Sequence, residues 1–241
     1  MKNNTRKWLA APYSVWAVGF IIIPLFVILY YAFTSEEGAL TLANFSYVLT
    51  KENLKALGLS LWLSFLSTVI CLVLAYPLAM ILTSRNVSQT SFIVLLFILP
   101  MWMNSLLRTL AWQTLLEKNG VINSILSFLH LPALNIINTP AAIVLGMVYN
   151  FLPFMVLPLY NILLKIDKDV INAARDLGAN SVQTFFQILL PLSMPGIVSG
   201  VTMVFIPART TFVISDLLGG SKILLFGNVF EQEFKQTNNW N

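Results

Sequence analysis

Five apolar stretches, each long enough to cross a bilayer as a helix, dictate what this chain can become. They run Tyr13–Phe33, Leu59–Thr83, Ser91–Leu116, Thr139–Ile166 and Met194–Ile214. A hydrocarbon core of about 30 Å takes roughly 20 residues of helix, and all five satisfy that length. Lipid offers the backbone no hydrogen-bond partner, so helices are the expected form, and the alternation that a barrel strand requires is absent. Charged residues make up only 10% of the chain and the mean hydropathy is +0.79. Soluble domains carry about 25% charged residues, so this chain could not clothe a water-facing surface. The expected fold class is an all-α integral membrane protein, a single multi-pass domain over residues 1–241.

Charge placement suggests an orientation. Lys2, Arg6 and Lys7 precede the first run, which favours a cytoplasmic N-terminus. Alternating spans then put Arg85, and the loop with Lys165, Lys168 and Arg175, on the same side. The first run resembles a signal peptide, but it is long and no clean small-x-small cleavage site follows, so an uncleaved span is expected. The formal charge of +4 is dispersed, without the basic and aromatic clustering that nucleic acid requires. Cys71 is the sole cysteine and lies in an apolar run, which excludes disulfides and Cys-rich metal sites. His130 is the sole histidine, placed in an external loop as a solvated or packing residue. No H-E-x-x-H, G-x-S-x-G or G-x4-G-K-[ST] pattern occurs, and Gly219-Gly220-Ser221-Lys222 has the wrong order for a phosphate cradle. The chain is therefore expected to be no enzyme, to hold no metal or cofactor, and to draw energy from a partner.

The segment 165–192, between the fourth and fifth runs, reads as two short helices. Asp169 is the expected N-cap of a helix over about Val170–Leu177, with Gly178 ending it in a positive-φ conformation. Ala173 and Ala174 keep one face flat enough for another protein to approach. Asn180 is a second N-cap, and Gln183 three residues on completes a capping-box pattern. A helix from Ser181 then carries Val182, Phe185, Phe186, Ile188 and Leu189 toward the membrane, with Pro191 and Pro195 marking its exit.

Ala173, Ala174, Gly178, Ile188, Leu190 and Pro191 fall on the spacing A-A-x3-G-x9-I-x-L-P. Six fixed positions, each met by chance about one time in ten, coincide on the order of once in a million. The spacing resembles the cytoplasmic coupling loop of ABC importer permeases. That resemblance implies a type I importer permease fold in a bacterial cell membrane, with a short helix seated in a cleft of a cytoplasmic ATPase. Asn172, Ala173, Ala174, Asp176, Gly178, Ile188, Leu190 and Pro191 are the implied coupling residues. The family's usual Glu at the start of the motif is Asn172 here, which keeps hydrogen-bonding capacity but loses a charge.

The likeness extends along the chain. Leu99–Arg108, Tyr149–Tyr160 and Ile214–Gly220 resemble the permeases of spermidine/putrescine importers. This implies a cytoplasmic ABC ATPase dimer, a second related permease subunit and an extracytoplasmic polyamine-binding protein. A permease for another small solute remains an alternative, as does a secondary transporter or channel. The latter usually carries intramembrane acids, whereas only Arg108 and Arg209 intrude here. A polyamine cation needs carboxylates, carbonyls or aromatic faces along its route. Trp102, Asn104, Tyr149, Asn150 and Asp216 are the path candidates. Each has a plainer role open to it: an interfacial anchor for Trp102, an interhelical hydrogen bond for Asn104 and Asn150, a helix cap for Asp216.

Two features depart from the family pattern. Arg209 replaces an uncharged residue, and is expected either to face an aqueous path or to pair with Asp216. Residues 215–241 resemble the family's external segment before a sixth span that is not seen here, so a truncated, impaired form is one expectation.

Overall fold

The computed structural model describes residues 12–34, 39–84, 99–220, 223–233 and 235. Lys2, Arg6, Lys7, Arg85, Ser221, Lys222 and residues 91–98 of the third apolar run lie outside them. Besides a helical stretch at 99–102, ten helices are described: α1 (Pro12–Ala32), α2 (Ala43–Val48), α3 (Lys51–Ser84), α4 (Ser105–Leu116) and α5 (Val121–Phe128). They continue with α6 (Pro140–Leu163), α7 (Lys168–Asp176), α8 (Ser181–Thr210), α9 (Val213–Gly219) and α10 (Phe226–Gln232). The chain divides into two units, residues 1–55 with 232–241, and residues 56–231.

In the first unit, α1 is apolar on every side and none of its spanning window is buried within the chain. A helix apolar all round belongs in lipid or against another membrane helix. Its C-terminal carbonyls are gathered by one side chain: the Asn44 amide donates to the carbonyls of Tyr31, Ala32 and Thr34 at 3.2–3.3 Å. Phe33 and Phe45 pack with ring centroids 5.2 Å apart.

The second unit is built on α6. Gly196 and Gly200 of α8 face it so closely that a Cβ at Gly196 would lie 2.4 Å from Ile162 Cγ2, and one at Gly200 2.6 Å from Met155 Sδ. Small residues four apart let two membrane helices approach, where van der Waals packing rather than water exclusion drives association. One apolar cluster joins Cys71, Ala75, Tyr76 and Ala79 of α3 to Met155, Val156 and Leu159 of α6 and Ile197 and Val204 of α8. A second gathers Leu63, Leu116, Ile143, Met147, Ile214, Leu218 and Leu225. In it α9 lies on α6 at Gly146, where a Cβ would meet Leu218 Cδ1 at 2.4 Å.

Among the described residues four helices have the length and hydropathy of a span: Pro12–Ala32, Lys51–Thr83, Pro140–Leu163 and Ser181–Thr210. One begins earlier than expected, at Lys51 rather than Leu59, and the helix expected from Ser181 does not end at Pro191 and Pro195 but runs unbroken into the fifth apolar run. The third apolar run does not continue as one helix to Leu116. Residues 99–102 are helical, the chain turns at Met103, and Asn104, with ψ 128°, opens a new helix by accepting from Leu106 N at 2.8 Å. Local capping by an Asx side chain outcompetes helix continuation there. Prolines behave differently: Pro77, Pro153, Pro158, Pro195 and Pro207 all lie inside continuing helices. In α1 and α8 a five-residue π-turn, Val18–Ile22 and Phe185–Leu189, ends two residues before Pro24 and Pro191. Proline donates no N–H and its ring displaces the carbonyl four residues back, and the widened turn absorbs that mismatch.

Candidate functional site

The segment 165–192 forms two helices joined by a tightly capped corner. The N-cap of α7 is Asp167, whose Oδ1 accepts from Asp169 N at 3.0 Å. Asp169, expected to be the cap, instead lies in the first turn, where its charge faces the helix's positive end. The cap needs a residue of extended ψ, and Asp167 has ψ 128° while Asp169 is already helical.

At the other end Gly178 has φ +89°. Gly178 N donates to Arg175 O at 2.9 Å and Ala179 N to Ala174 O at 3.0 Å, the paired bonds of a Schellman ending. Asn180 Oδ1 accepts from Gln183 N at 2.8 Å and Asn180 N donates to Gln183 Oε1 at 2.9 Å, which completes the capping box read from the sequence. The corner therefore leaves few orphan polar groups.

This corner is uncovered, and it presents apolar side chains among charged ones, with Lys168, Asp169, Arg175 and Asp176 exposed. Leu177 is 90% exposed, and Val170, Val182 and Phe186 are also exposed. Asn172, Ala173, Asp176 and Gly178 are exposed beside them, whereas Ala174 is buried and Ile188 and Leu190 are half-buried. Leu177 carried no special weight in the sequence, because only the Schellman geometry turns it outward. Beyond the corner, α8 runs from Ser181 to Thr210 through the π-turn. A helix of 30 residues spans about 45 Å, long enough for one element that starts at the corner to cross a bilayer.

Trp102 lies in the helical stretch 99–102, Asn104 at the N-cap of α4, Tyr149 and Asn150 on α6 and Asp216 on α9, and α4, α6 and α9 pack on one another in pairs. Trp102 is exposed, and Asn104 spends its carbonyl oxygen on capping α4. Tyr149 packs edge-on against Trp112, with centroids 5.2 Å apart, rather than against another candidate. Asn150 is buried; its amide donates to Gly146 O at 2.9 Å and its Oδ1 has no partner. Asp216 is exposed and accepts from Asn228 Nδ2. Asn228 is itself buried, taking bonds from Ser215 Oγ and Leu225 N, so the Asp216 carboxylate is held in place by a packed side chain. No hydrogen bond or ring contact joins Trp102, Asn104, Tyr149 and Asn150 to one another among the described residues.

The expected pairing of Arg209 with Asp216 is not made. Arg209 is exposed in the last turn of α8, where a cation faces the helix's free carbonyls, while Asp216 bonds to Asn228. Arg108 is 8% exposed, with Nε and Nη1 unpartnered. His130 is exposed two residues past the end of α5.

Comparison with known proteins identifies the class. The family of binding-protein-dependent transport system inner membrane components matches residues 75–232, and this chain belongs to it. It is 36% identical to the spermidine/putrescine transport system permease protein PotB of Haemophilus influenzae, over the whole of this chain and 87% of that one. Identity to the PotB of Salmonella typhimurium is 39%, again over 100% and 87%. A crystal structure of a bacterial alginate ABC transporter, in complex with its alginate pentasaccharide-bound periplasmic protein, superposes with a TM-score of 0.79. That match covers 99% of this chain and 87% of the other at 16% identity, which establishes the shared permease fold. The resemblance read in the sequence holds: the protein is a membrane permease of the ABC importer type.

Proposed function

We propose that this chain is a permease subunit of an ATP-driven importer that moves polyamines, spermidine and putrescine, inward across a bacterial cell membrane. The observation that carries the reading is the corner at residues 167–186, capped at both helix junctions and exposing Leu177, Val182 and Phe186, set at the root of a membrane-length helix. Polyamine as cargo is supported by the identity to spermidine/putrescine permeases over the full chain.

In this reading the N-terminus and the corner are cytoplasmic. An ABC ATPase dimer receives α7 in a cleft, through Asn172, Ala173, Ala174, Asp176 and Gly178, with Leu177 added by its exposure. Ile188, Leu190 and Pro191 shape the root of α8. A second related permease completes the pathway, and an extracytoplasmic polyamine-binding protein delivers cargo. Closure of the ATPase dimer displaces the corner as a rigid body. Because α8 is continuous and locked to α6 through Gly196 and Gly200, the displacement tilts both helices rather than dissipating in a loop.

Along the path, Asp216 supplies a fixed exposed carboxylate and Trp102 and Tyr149 supply aromatic faces, while Asn104, whose oxygen caps α4, and the buried Asn150 shape the wall behind them. These bind weakly in aggregate, as a conduit must so that cargo can leave. Uptake of radiolabelled spermidine into proteoliposomes bearing the permease pair, ATPase and loaded binding protein tests the reading. ATP-dependent accumulation is expected. Accumulation driven by a proton gradient without ATP would contradict it.

A further inference from the structure

Tyr76 lies on a helix that the sequence marks only as apolar, yet its side chain joins two distant segments. It is 6% exposed, and its hydroxyl lies 2.8 Å from Ser193 Oγ, which is fully buried. Ser193 Oγ donates to Leu190 O at 3.0 Å, so it accepts from Tyr76, and the phenol is the donor. The Tyr76 ring packs edge-on against Phe185 with centroids 5.2 Å apart. Phe185 opens the π-turn of α8, and Ser193 lies just past Pro191, beyond its end. One residue of α3 thus grips α8 at the first residue of its widened turn and again beyond its end.

The location matters as much as the contacts. The π-turn is where α8 leaves the capped corner, and it is the weakest point in the line from corner to membrane, because i→i+5 bonding replaces the regular ladder there. Tyr76 is followed by Pro77, which cannot donate to Val73 O, so α3 has a joint at the same level. Two helices with softened backbone at one level are held by a directional bond inside an otherwise apolar cluster. A hydrogen bond of this kind fixes relative position where packing alone permits sliding.

We propose that Tyr76 is a positioning residue that makes α3 move with the root of α8, so that displacement of the corner is delivered to both helices and not lost at the π-turn. This rests on the importer reading. Without the bond the corner still docks and the ATPase still turns over, but the widened turn yields and hydrolysis runs ahead of transport.

The test uses the complete complex in proteoliposomes, measuring spermidine uptake and ATP hydrolysis together for Tyr76→Phe, Ser193→Ala and the double variant. Each single variant is expected to lower spermidine moved per ATP by about fivefold, the worth of one buried hydrogen bond. Complex yield and the spermidine concentration for half-maximal uptake should stay unchanged, and the double variant should lose no more than either single one. Ser193→Thr, which keeps a hydroxyl, should retain most of the coupling, and Tyr76→Leu, which also loses the Phe185 contact, should fall below Tyr76→Phe. Unaltered uptake per ATP in Tyr76→Phe would overturn the proposal. So would losses that multiply in the double variant, or uptake and hydrolysis that fall together with complex yield. A wild-type complex without ATP-dependent uptake would instead overturn the importer reading, and the coupling role with it.

Discussion

Gly178 shows how much can rest on one backbone conformation. Its φ of +89° is one that side-chain-bearing residues rarely adopt, and a Cβ there would touch nothing within 4 Å, so the constraint is conformational and not steric crowding. Gly178→Pro forces φ near −65° and removes the donor to Arg175 O, undoing the end of α7 twice over. Co-purification with the ATPase is expected to fall at least about tenfold while permease levels in the membrane hold, since a loss of roughly 1.4 kcal/mol suffices; a complex recovered at wild-type yield would refute docking through this corner. Arg209 is the opposite case, a residue whose charge makes no ion pair with Asp216 and lies exposed. Near a cationic cargo it repels, so Arg209→Leu should leave spermidine uptake equal to or above wild type. A collapse of uptake in that variant would show the guanidinium to be required. The local signals among these residues were readable in the sequence: a glycine after a short helix and Asn-x-x-Gln before the next each fix a backbone within four positions. Even so, the cap of α7 falls on Asp167 and not Asp169, because two aspartates compete and only the observed backbone decides between them.

The seam between α6 and α8 is the element on which the rest of the unit is assembled. Gly200→Leu would drive a side chain into Met155, and overpacking of this kind costs about 1–3 kcal/mol. The thermal unfolding midpoint of the detergent-solubilised protein should drop by several degrees, and an unchanged midpoint would mean that the helices do not meet at Gly200. Element existence followed from hydropathy for α1, α3, α6 and α8, since apolar runs of that length leave the backbone no other choice. Element limits did not. The early start at Lys51 comes from a polar first turn that a hydropathy window passes over, and the break at Met103 comes from Asn104 capping α4. Tyr76 was invisible for a different reason. A hydroxyl on an apolar helix gains meaning only from Ser193, which lies 117 residues away in sequence.

At the scale of the whole molecule, the path candidates depend on tertiary arrangement, and the sequence located them without showing their company. Tyr149 pairs with Trp112 and Asp216 with Asn228, neither of which spacing along the chain reveals, whereas Asn104 caps its own helix. The apolar surface of α1 and the exposed corner at Leu177 are both unfinished surfaces, suited to lipid or to other subunits. The account stands on the side of the membrane that the corner faces and on what covers it there. The direct measurement places a single cysteine at Leu177→Cys in a Cys71→Ser background and follows reaction with a membrane-impermeant maleimide. The expected result is no labelling of intact spheroplasts, full labelling of inverted vesicles stripped of ATPase, and protection when the ATPase is restored. Labelling of intact spheroplasts, or labelling of inverted vesicles that the ATPase leaves unchanged, would contradict it.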